Sequence, residues 1–414
     1  MAAFVGSKPT GAVAQVQSTL AKIAVCRTGA LGASWHWCAD CDTGVRIPNS
    51  CGDRHCPMCR GASRAAWVTS AMKRITAGVD YFQVVFTIPD HLSSLTLGNR
   101  REMFNLLFRS ASKSLKTVLE TEQQYEAAAS MVLHTWNQKL DAHVHVHAVV
   151  PGGGPSLQVP GTWKKAEPPP HERPDRWWLV DADHLRAEFR TQFLTCLRRL
   201  HAKGELKLNG DWAHLQDTAA FEEFLAPLEQ QSWVTYIQPP PTESSQPQDI
   251  VKYLARYLTG GPIADSRVVD YDDSRVTFTA RCGTTQGGSN ETEEIEVPVL
   301  EFIRRWRLHI LPKGFTKTRC FGGWSNHHSR RYVAECDELL QTNDADGSNK
   351  ASPTVASDEP VASDDELNDG YRPCPTCGGE MERLEHAHRT SWKDVFHFDC
   401  NERPSWYRPW ESSG

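Results

Sequence analysis

His143-Val144-His145-Val146-His147 is the stretch of sequence that decides the fold. Successive side chains of a β-strand point to opposite faces, so the three imidazoles share one face and the valines share the other. Burying three unpartnered imidazoles is costly, whereas imidazoles at this spacing are typical metal ligands. We therefore predict a strand that carries a metal site on one face and hydrophobic core on the other.

Two histidines do not complete a metal site. His134 and Gln138 lie on or just after the preceding β-rich segment, at residues 131–136, and both are candidates for the third ligand. A further apolar segment at residues 81–88 ends before Pro89 and predicts another strand. Residues 100–119 have apolar side chains at helical spacing. These elements predict an α+β fold, in which an antiparallel sheet is packed by helices.

The charge of the chain is unevenly distributed. The 414 residues carry a net charge of −6, but residues 332–371 hold 11 acidic residues and one basic residue. Residues 1–331 carry a net charge of about +5, which suits a polyanion such as DNA. No apolar run reaches the ~20 residues that cross a bilayer, and the N-terminus lacks the pattern of a signal peptide. We expect a cytoplasmic protein with no membrane partner, associated with the nucleoid when it acts.

Cysteine spacing predicts structural zinc near the N-terminus. Thirteen cysteines in a chain without a signal peptide favour metal-bound thiolates over disulfides. The paired spacing makes Cys38, Cys41, Cys56 and Cys59 the simplest tetrahedral set. Cys51, together with His36, His55 or Cys26, either replaces a member of this set or builds a second site. Near the C-terminus, a second zinc site is possible at Cys374, Cys377 and Cys400, completed by His386, His388 or His397.

Two further patterns concern DNA. Tyr253 and Tyr257 are four residues apart on a predicted helix, a spacing that is found in ordinary packing and also in paired functional groups. Residues 301–333 interleave basic and aromatic side chains, a combination that suits phosphates and unstacked bases of a single strand. The candidate DNA-binding residues are Arg256, Arg304, Arg305, Arg307, Lys313, Lys317 and Arg319.

The domain organisation follows from these segments. We expect a zinc-binding module at residues 1–75 and a catalytic domain at residues 76–335, with an irregular insertion at about 152–181. An acidic, disordered linker is expected at 336–370 and a small zinc knuckle at 371–414.

In combination, the motifs resemble the rolling-circle transposases of the insertion-sequence-91 family, which are two-tyrosine HUH endonucleases. The matching stretches occur in the family's order over about residues 20–330. They are Cys51-Gly52-Asp53-Arg54-His55-Cys56-Pro57-Met58-Cys59, Val84-Val85-Phe86-Thr87-Ile88-Pro89, Leu133-His134-Thr135-Trp136-Asn137-Gln138, His143 to Gly154, Tyr253-Leu254-Ala255-Arg256-Tyr257 and Leu311-Pro312-Lys313-Gly314-Phe315.

The resemblance implies a role for each matching residue. His145 and His147 match the paired histidines that hold a catalytic Mg²⁺ or Mn²⁺, and Gln138 matches the third ligand in preference to His134. Tyr253 and Tyr257 match the nucleophiles, which form 5′-phosphotyrosine links as single-stranded DNA is nicked and rejoined at transposon ends and targets. No nucleotide cofactor is implied.

The same residues are compatible with three other functions. A replication initiator or plasmid relaxase would use the same chemistry, but the N-terminal cysteine cluster favours the transposase. A zinc-finger DNA-binding protein without nuclease activity would need the histidines only for structure. A metallo-oxygenase would need a carboxylate ligand, for which Asp141 is the near candidate.

Overall fold

The structure is a computed structural model that describes residues 11–59, 67–168, 179–240, 261–281, 291–346, 374, 376–379 and 381–386. The chain forms two compact units. One comprises Met1–Ala66, Ile263–Val268 and Ala356–Gly414, and the other comprises Trp67–Pro262 and Val269–Val355. Within the described ranges, no helix combines the length and apolarity needed to cross a membrane.

The elements have the following bounds. Helices are α1 (Gly11–Ala24), α2 (Ser93–Gly98), α3 (Arg100–Glu122), α4 (Ala182–Ala202), α5 (Thr218–Gln230), α6 (Val299–Arg307) and α7 (Ser329–Asp346), and residues 67–72 are also helical. Strands are β1 (Ala33–Cys38), β2 (Thr43–Pro48), β3 (Tyr81–Thr87), β4 (Ala128–Trp136), β5 (Ala142–Pro151), β6 (Gly153–Pro155), β7 (Trp163–Lys165), β8 (Val234–Gln238), β9 (Val268–Tyr271), β10 (Arg275–Arg281), β11 (Thr292–Pro298), β12 (Thr318–Gly322) and β13 (Glu382–His386).

The first unit contains an antiparallel sheet in the order β2-β1-β13. Strands β1 and β2 form a hairpin in which Cys38 lies opposite Thr43. Asp42, in the loop of this hairpin, adopts a left-handed backbone conformation with φ of 52°, which aspartate tolerates better than most residues. Strand β13, near the C-terminus, pairs with β1 and places Glu382 opposite Trp37. The first unit therefore combines segments that are far apart in the sequence.

The second unit contains a five-stranded sheet in the order β12-β4-β5-β3-β8, and each neighbouring pair is antiparallel. The two faces of this sheet differ. One face presents Val84, Val144 and Val146 to helices α3, α4 and α5, and these residues belong to one large buried cluster. The fold is thus α+β with an antiparallel sheet and packed helices, as the sequence predicted.

Local sequence explains why the helices lie where they do. The side chain of Asp181 caps α4 by accepting hydrogen bonds from the backbone N–H groups of Asp183 and His184. Helix α3 buries Phe104, Leu107 and its neighbours on the side that faces the sheet. Burial of this apolar stripe, rather than helix propensity, supplies most of the stability of such a helix.

Two segments differ from their expected form. Strands β6 and β7 form a two-stranded sheet inside the region expected to be an irregular insertion. Helix α7 extends to Asp346, into the region expected to be an acidic linker. It does so because Tyr332, Cys336 and Leu339 recur at helical spacing and are buried. Residues 347–373 lie outside the described ranges.

Candidate metal centre and zinc clusters

The predicted histidine strand is β5, in the middle of the large sheet. Its neighbour β4 places His134 directly opposite His145, and Val132 opposite His147. Facing residues on neighbouring strands project from the same side of a sheet. One potential ligand atom from each of His134, His145 and His147 lies within 4.8 Å of the others. These three imidazoles, which we call the histidine cluster, are close enough to bind one metal ion.

Two members of the histidine cluster, His145 and His147, have lowered pKa values. Burial lowers the pKa of His145 well below its ordinary value, and the neighbouring His147 and His143 lower it further. Burial, with the nearby charge of Lys317, lowers the pKa of His147 to about 4. Because a metal binds the neutral form of imidazole, the surroundings keep both side chains ready to act as ligands.

Hydrogen bonds orient two of these rings. Nδ1 of His145 lies 2.9 Å from the carbonyl oxygen of His143, which leaves Nε2 available for a metal. Nδ1 of His147 lies 3.0 Å from the side-chain amide nitrogen of Gln83 on β3. The amide oxygen of Gln83 is buried and has no hydrogen-bond partner among the described residues. Amide nitrogen and oxygen are interchangeable by a rotation, which would let this oxygen accept the Nδ1 proton of His147.

The third member of the cluster differs from the expected one. Gln138 lies in the exposed turn between β4 and β5, beyond the end of the strand. His134 lies within β4 and is buried against the other two histidines. The geometry therefore favours His134 over Gln138 as the third ligand. The sequence analysis named His134 as the other candidate, and the pairing of β4 with β5 is what brings it to His145.

The fourth histidine of this region, His143, lies on the same face of β5 but outside the cluster. Its Nδ1 is 3.9 Å from a carboxylate oxygen of Asp90, and its side chain is more exposed. It is thus a natural comparison residue for the three clustered imidazoles.

Lys317 and Trp136 lie beside the histidine cluster. The ring of Trp136 stacks on His134 with 4.5 Å between ring centroids, and the Lys317 ammonium lies 5.1 Å from the Trp136 ring. Lys317 immediately precedes β12. Among the expected DNA-binding residues that the structure describes, Lys317 carries a charge that lowers the pKa values of His145 and His147.

The other basic residues have different surroundings. Arg304 and Arg305 form ion pairs with Glu301. Arg319 donates to the side-chain oxygen of Asn105 and lies over the ring of Phe108, on the helix-covered side of the sheet. The guanidinium groups of Arg304, Arg305 and Arg319 are therefore already in contact with other side chains of the protein. Arg307 and Lys313 follow at the end of α6 and in the loop before β12. The predicted nucleophiles Tyr253 and Tyr257, and Arg256 between them, lie outside the described residues.

A cavity of about 490 Å³ lies on the same face of the sheet as the histidine cluster. Ser130 of β4 and Val149 of β5 form its floor, and the walls include Trp67, Arg74 and Trp324. Ser130 is four residues along β4 from His134, which corresponds to ~14 Å at about 3.4 Å per residue. The volume is within the range of small-molecule pockets, and the lining is both aromatic and basic.

His309 is a buried residue that the sequence analysis did not single out. Its ring nitrogens lie 3.2 Å from the hydroxyl of Thr135 and 3.0 Å from the carbonyl oxygen of Leu140. Burial lowers the pKa of His309 to about 4. The ring thereby connects the end of β4 to the turn that follows it. No spacing rule would reveal this role, because the partners are about 170 residues away along the chain.

The cysteines form two separate clusters in the first unit. Sulfur atoms of Cys26, Cys51, Cys56 and Cys59 lie within 4.8 Å of one another, as do those of Cys38, Cys41, Cys374 and Cys377. The set expected from spacing, Cys38 and Cys41 with Cys56 and Cys59, is therefore divided between the two. The division arises because Cys38 and Cys41 lie at the turn of the β1–β2 hairpin, whereas the other pair follows β2.

Two further candidate zinc ligands named from the sequence are Cys26 and Cys400. Cys26 is the fourth member of the first cluster, with its sulfur 3.6 Å from those of Cys56 and Cys59. It stands alone in the sequence, so pair spacing could not assign it. Cys400 lies outside the described residues, and Cys38 and Cys41 instead accompany Cys374 and Cys377.

Comparison with known proteins identifies the class of protein. Residues 6–88 match a family described as "Transposase zinc-binding domain", and residues 129–331 match one described as "Putative transposase". The chain is 33% identical over 367 residues to "Putative transposase y4qJ" of Sinorhizobium fredii (strain NBRC 101917 / NGR234), covering 88% of this chain and 87% of that protein. It is 27% identical over 327 residues to the transposase for insertion sequence element IS801 of Pseudomonas savastanoi pv. phaseolicola, covering 78% and 73%. No solved structure matches.

The fold, the clusters and these similarities define a transposase. The chain belongs to the insertion-sequence-91 family of transposases, as its motifs predicted. Its N-terminal zinc-binding domain and the grouping of its cysteines support structural zinc.

Proposed function

We propose that this transposase cuts and rejoins single-stranded DNA at the ends of a transposon, using a metal ion bound by the histidine cluster. The observation that carries the proposal is the convergence of His134, His145 and His147 on one sheet face, where burial lowers the pKa values of His145 and His147. If these three imidazoles had only a structural role, their convergence on one sheet face would have no explanation. Three protein ligands leave coordination positions open for phosphate oxygens, as in catalytic metal sites.

The donor set bears on which ion is used. The family resemblance implied mixed nitrogen and oxygen ligands, which suit Mg²⁺ or Mn²⁺. Three imidazoles favour a softer ion than Mg²⁺, which prefers oxygen, so we propose Mn²⁺ as the better of the two. When bound, the ion polarises the scissile phosphate and offsets the charge that develops on its oxygens.

We propose Tyr253 and Tyr257 as the nucleophiles, on the strength of the family resemblance. A phenol oxygen attacks phosphorus and loses its proton, and the bond from phosphorus to the 3′ oxygen breaks. The products are a 5′-phosphotyrosine and a strand with a free 3′-OH. One phosphoester replaces another, so rejoining needs no nucleotide cofactor. Two tyrosines permit two successive cleavages, as rolling-circle transposition requires.

The preference for a single strand has its own support. A phosphate can reach a metal on a sheet face most readily when its strand is unpaired. Lys317 supplies a charge beside the cluster, and the adjacent cavity supplies Trp67 and Trp324 for bases. Cationic and aromatic groups together are typical of sites for unpaired strands.

The decisive experiment is cleavage of single-stranded oligonucleotides taken from the ends of the element, with Mn²⁺ present. The expected result is a covalent protein–DNA adduct on a denaturing gel. The adduct should disappear in the Tyr253→Phe, Tyr257→Phe double variant and in His145→Ala. His143→Ala is the matched control and should retain it, because His143 lies outside the cluster.

Three outcomes would contradict the proposal. Retention of DNA without any adduct would indicate a DNA-binding protein with no nuclease activity. Adduct formation that survives the loss of both tyrosines would assign the nucleophile to another residue. A plasmid origin cleaved in preference to the element's own ends would indicate a replication initiator or relaxase.

A further inference from the structure

We infer that Cys38, Cys41, Cys374 and Cys377 bind a zinc ion of their own, which fastens the C-terminal segment of the chain into the N-terminal zinc-binding domain. The family match for that domain ends at residue 88 and contains two of these four ligands. The other two lie more than 330 residues further along the chain.

The distances between the sulfur atoms fit a tetrahedral zinc site. Sγ of Cys38 lies 3.6 Å from Sγ of Cys377, and Sγ of Cys374 lies 4.0 Å from Sγ of Cys41. Four sulfurs placed ~2.3 Å from a central zinc ion are separated by ~3.8 Å. A disulfide would require ~2.05 Å. The arrangement therefore matches four thiolates around one ion.

The C-terminal loop has the hydrogen bonds of a zinc knuckle. The backbone N–H of Gly378 donates to the carbonyl oxygen of Cys374 at 2.8 Å, and the N–H of Cys374 donates to the carbonyl oxygen of Gly379 at 2.8 Å. The N–H of Gly379 is directed at Sγ of Cys377, 3.4 Å away. Gly378 has φ of +75°, a conformation that glycine adopts without strain. The loop thus holds both of its sulfurs toward the same point.

Two independent contacts bring this loop to the N-terminal hairpin. Strand β13 follows the loop and pairs with β1, the strand that ends at Cys38. Gly379 also approaches the carboxylate of Asp40, between Cys38 and Cys41, so closely that a Cβ at position 379 would collide with it. The two knuckles therefore face each other across the proposed ion.

The second cysteine cluster is separate from the first. Cys26, Cys51, Cys56 and Cys59 already form a complete set of four, with all ligands within the family's zinc-binding domain. Four thiolates satisfy a structural zinc ion, so the first cluster has no need of ligands from the second. The chain should consequently hold two structural zinc ions.

Zinc content of the full-length protein tests the inference. The His145→Ala, His147→Ala variant is used as the background, so that zinc at the histidine cluster is not counted. Elemental analysis is expected to give two zinc ions per chain in this background. Cys374→Ser with Cys377→Ser should leave one, and Cys38→Ser with Cys41→Ser should also leave one. Cys320→Ser, a thiol outside both clusters, should leave two.

The combination of variants decides whether one ion is shared. When all four serines are present together, one zinc ion should remain, because both pairs hold the same ion. A fall to zero would show that each pair holds a different ion and would overturn the inference. So would two zinc ions in the Cys374→Ser, Cys377→Ser variant. Cys56→Ser with Cys59→Ser should remove the other ion.

A second measurement does not depend on how the serine variants fold. A specific protease site is introduced between residues 350 and 365, and the cleaved protein is passed over a sizing column. With native cysteines and zinc present, the C-terminal fragment should co-elute with the remainder of the chain. Strand β13 alone is too short for stable attachment. Separation of the fragment while zinc is present would contradict the shared site.

Discussion

The side-chain amide of Gln83 lies 3.0 Å from Nδ1 of His147, across the pairing of β3 with β5. Gln83 is buried and comes from a strand that contributes no histidine to the cluster. Partners of this kind fix the ring orientation and tautomer of a metal-binding histidine. Gln83 is therefore a positioning residue for the proposed metal site.

Replacing Gln83 by Leu should weaken Mn²⁺ binding by about 10–100-fold, because the His147 ring loses its hydrogen bond. Gln83→Glu keeps an acceptor oxygen and should retain much more of the affinity. Calorimetric titration with Mn²⁺ measures both. An unchanged affinity in Gln83→Leu would show that the hydrogen bond has no influence on the ligand.

His134 and Gln138 can be distinguished directly. His134→Ala should reduce Mn²⁺ affinity by at least about 100-fold, since it removes one of three ligands and not merely a supporting partner. Gln138→Ala, in the exposed turn, should change affinity and oligonucleotide cleavage by no more than a few-fold. The opposite pattern would restore Gln138 as the third ligand.

Lys317 and Arg304 should differ in their contribution to DNA binding. Lys317 lies beside the histidine cluster, whereas Arg304 is paired with Glu301. Lys317→Ala should weaken single-strand binding and reduce the salt dependence of the binding constant by about one phosphate contact. Arg304→Ala should leave that salt dependence unchanged. Fluorescence anisotropy at several salt concentrations provides the comparison, and equal effects of the two changes would contradict it.

His309 should make the folded protein sensitive to acid. Its pKa is about 4 in the folded protein, against an ordinary value of 6.5. As the pH falls from about 6.5 to 4, the unfolded chain binds a proton that the folded protein excludes. The free energy of unfolding therefore decreases by roughly 1.4 kcal/mol per pH unit from this group.

His309→Gln should remove that contribution while keeping a polar group near Thr135 and Leu140. Urea unfolding at pH 7, 6 and 5 should show a shallower loss of stability in the variant than in the wild type. The difference between the two proteins isolates His309, since other titrating groups are common to both. Parallel pH profiles would show that His309 is not the group responsible.

The features of the site that the sequence predicted are those that depend on local spacing along one strand. Alternation placed His145 and His147 together because strand geometry has a fixed period of two. Gln83 and His134 join them through strand pairing, whose register is set by the whole sheet. Cys374 could not be assigned to Cys38 because a contact over more than 330 residues leaves no mark in local spacing.

In helix α7, the sequence analysis predicted disorder where the structure has a helix. The acidic composition of residues 336–370 suggested disorder, yet α7 runs to Asp346. Tyr332 and Cys336 pack against Tyr81 and Trp324 and hold the start of this helix in place. Composition describes the average of a segment, whereas a few buried side chains at the right spacing decide whether it is ordered.

The pairing of β1 with β13 also constrains the order of events during synthesis. Strand β1 leaves the ribosome early, but its partner is made almost 350 residues later. At about 5–20 residues per second, this delay is on the order of tens of seconds. A copy of the gene interrupted by a premature stop would yield a chain whose first sheet lacks an edge strand, however intact its histidine cluster.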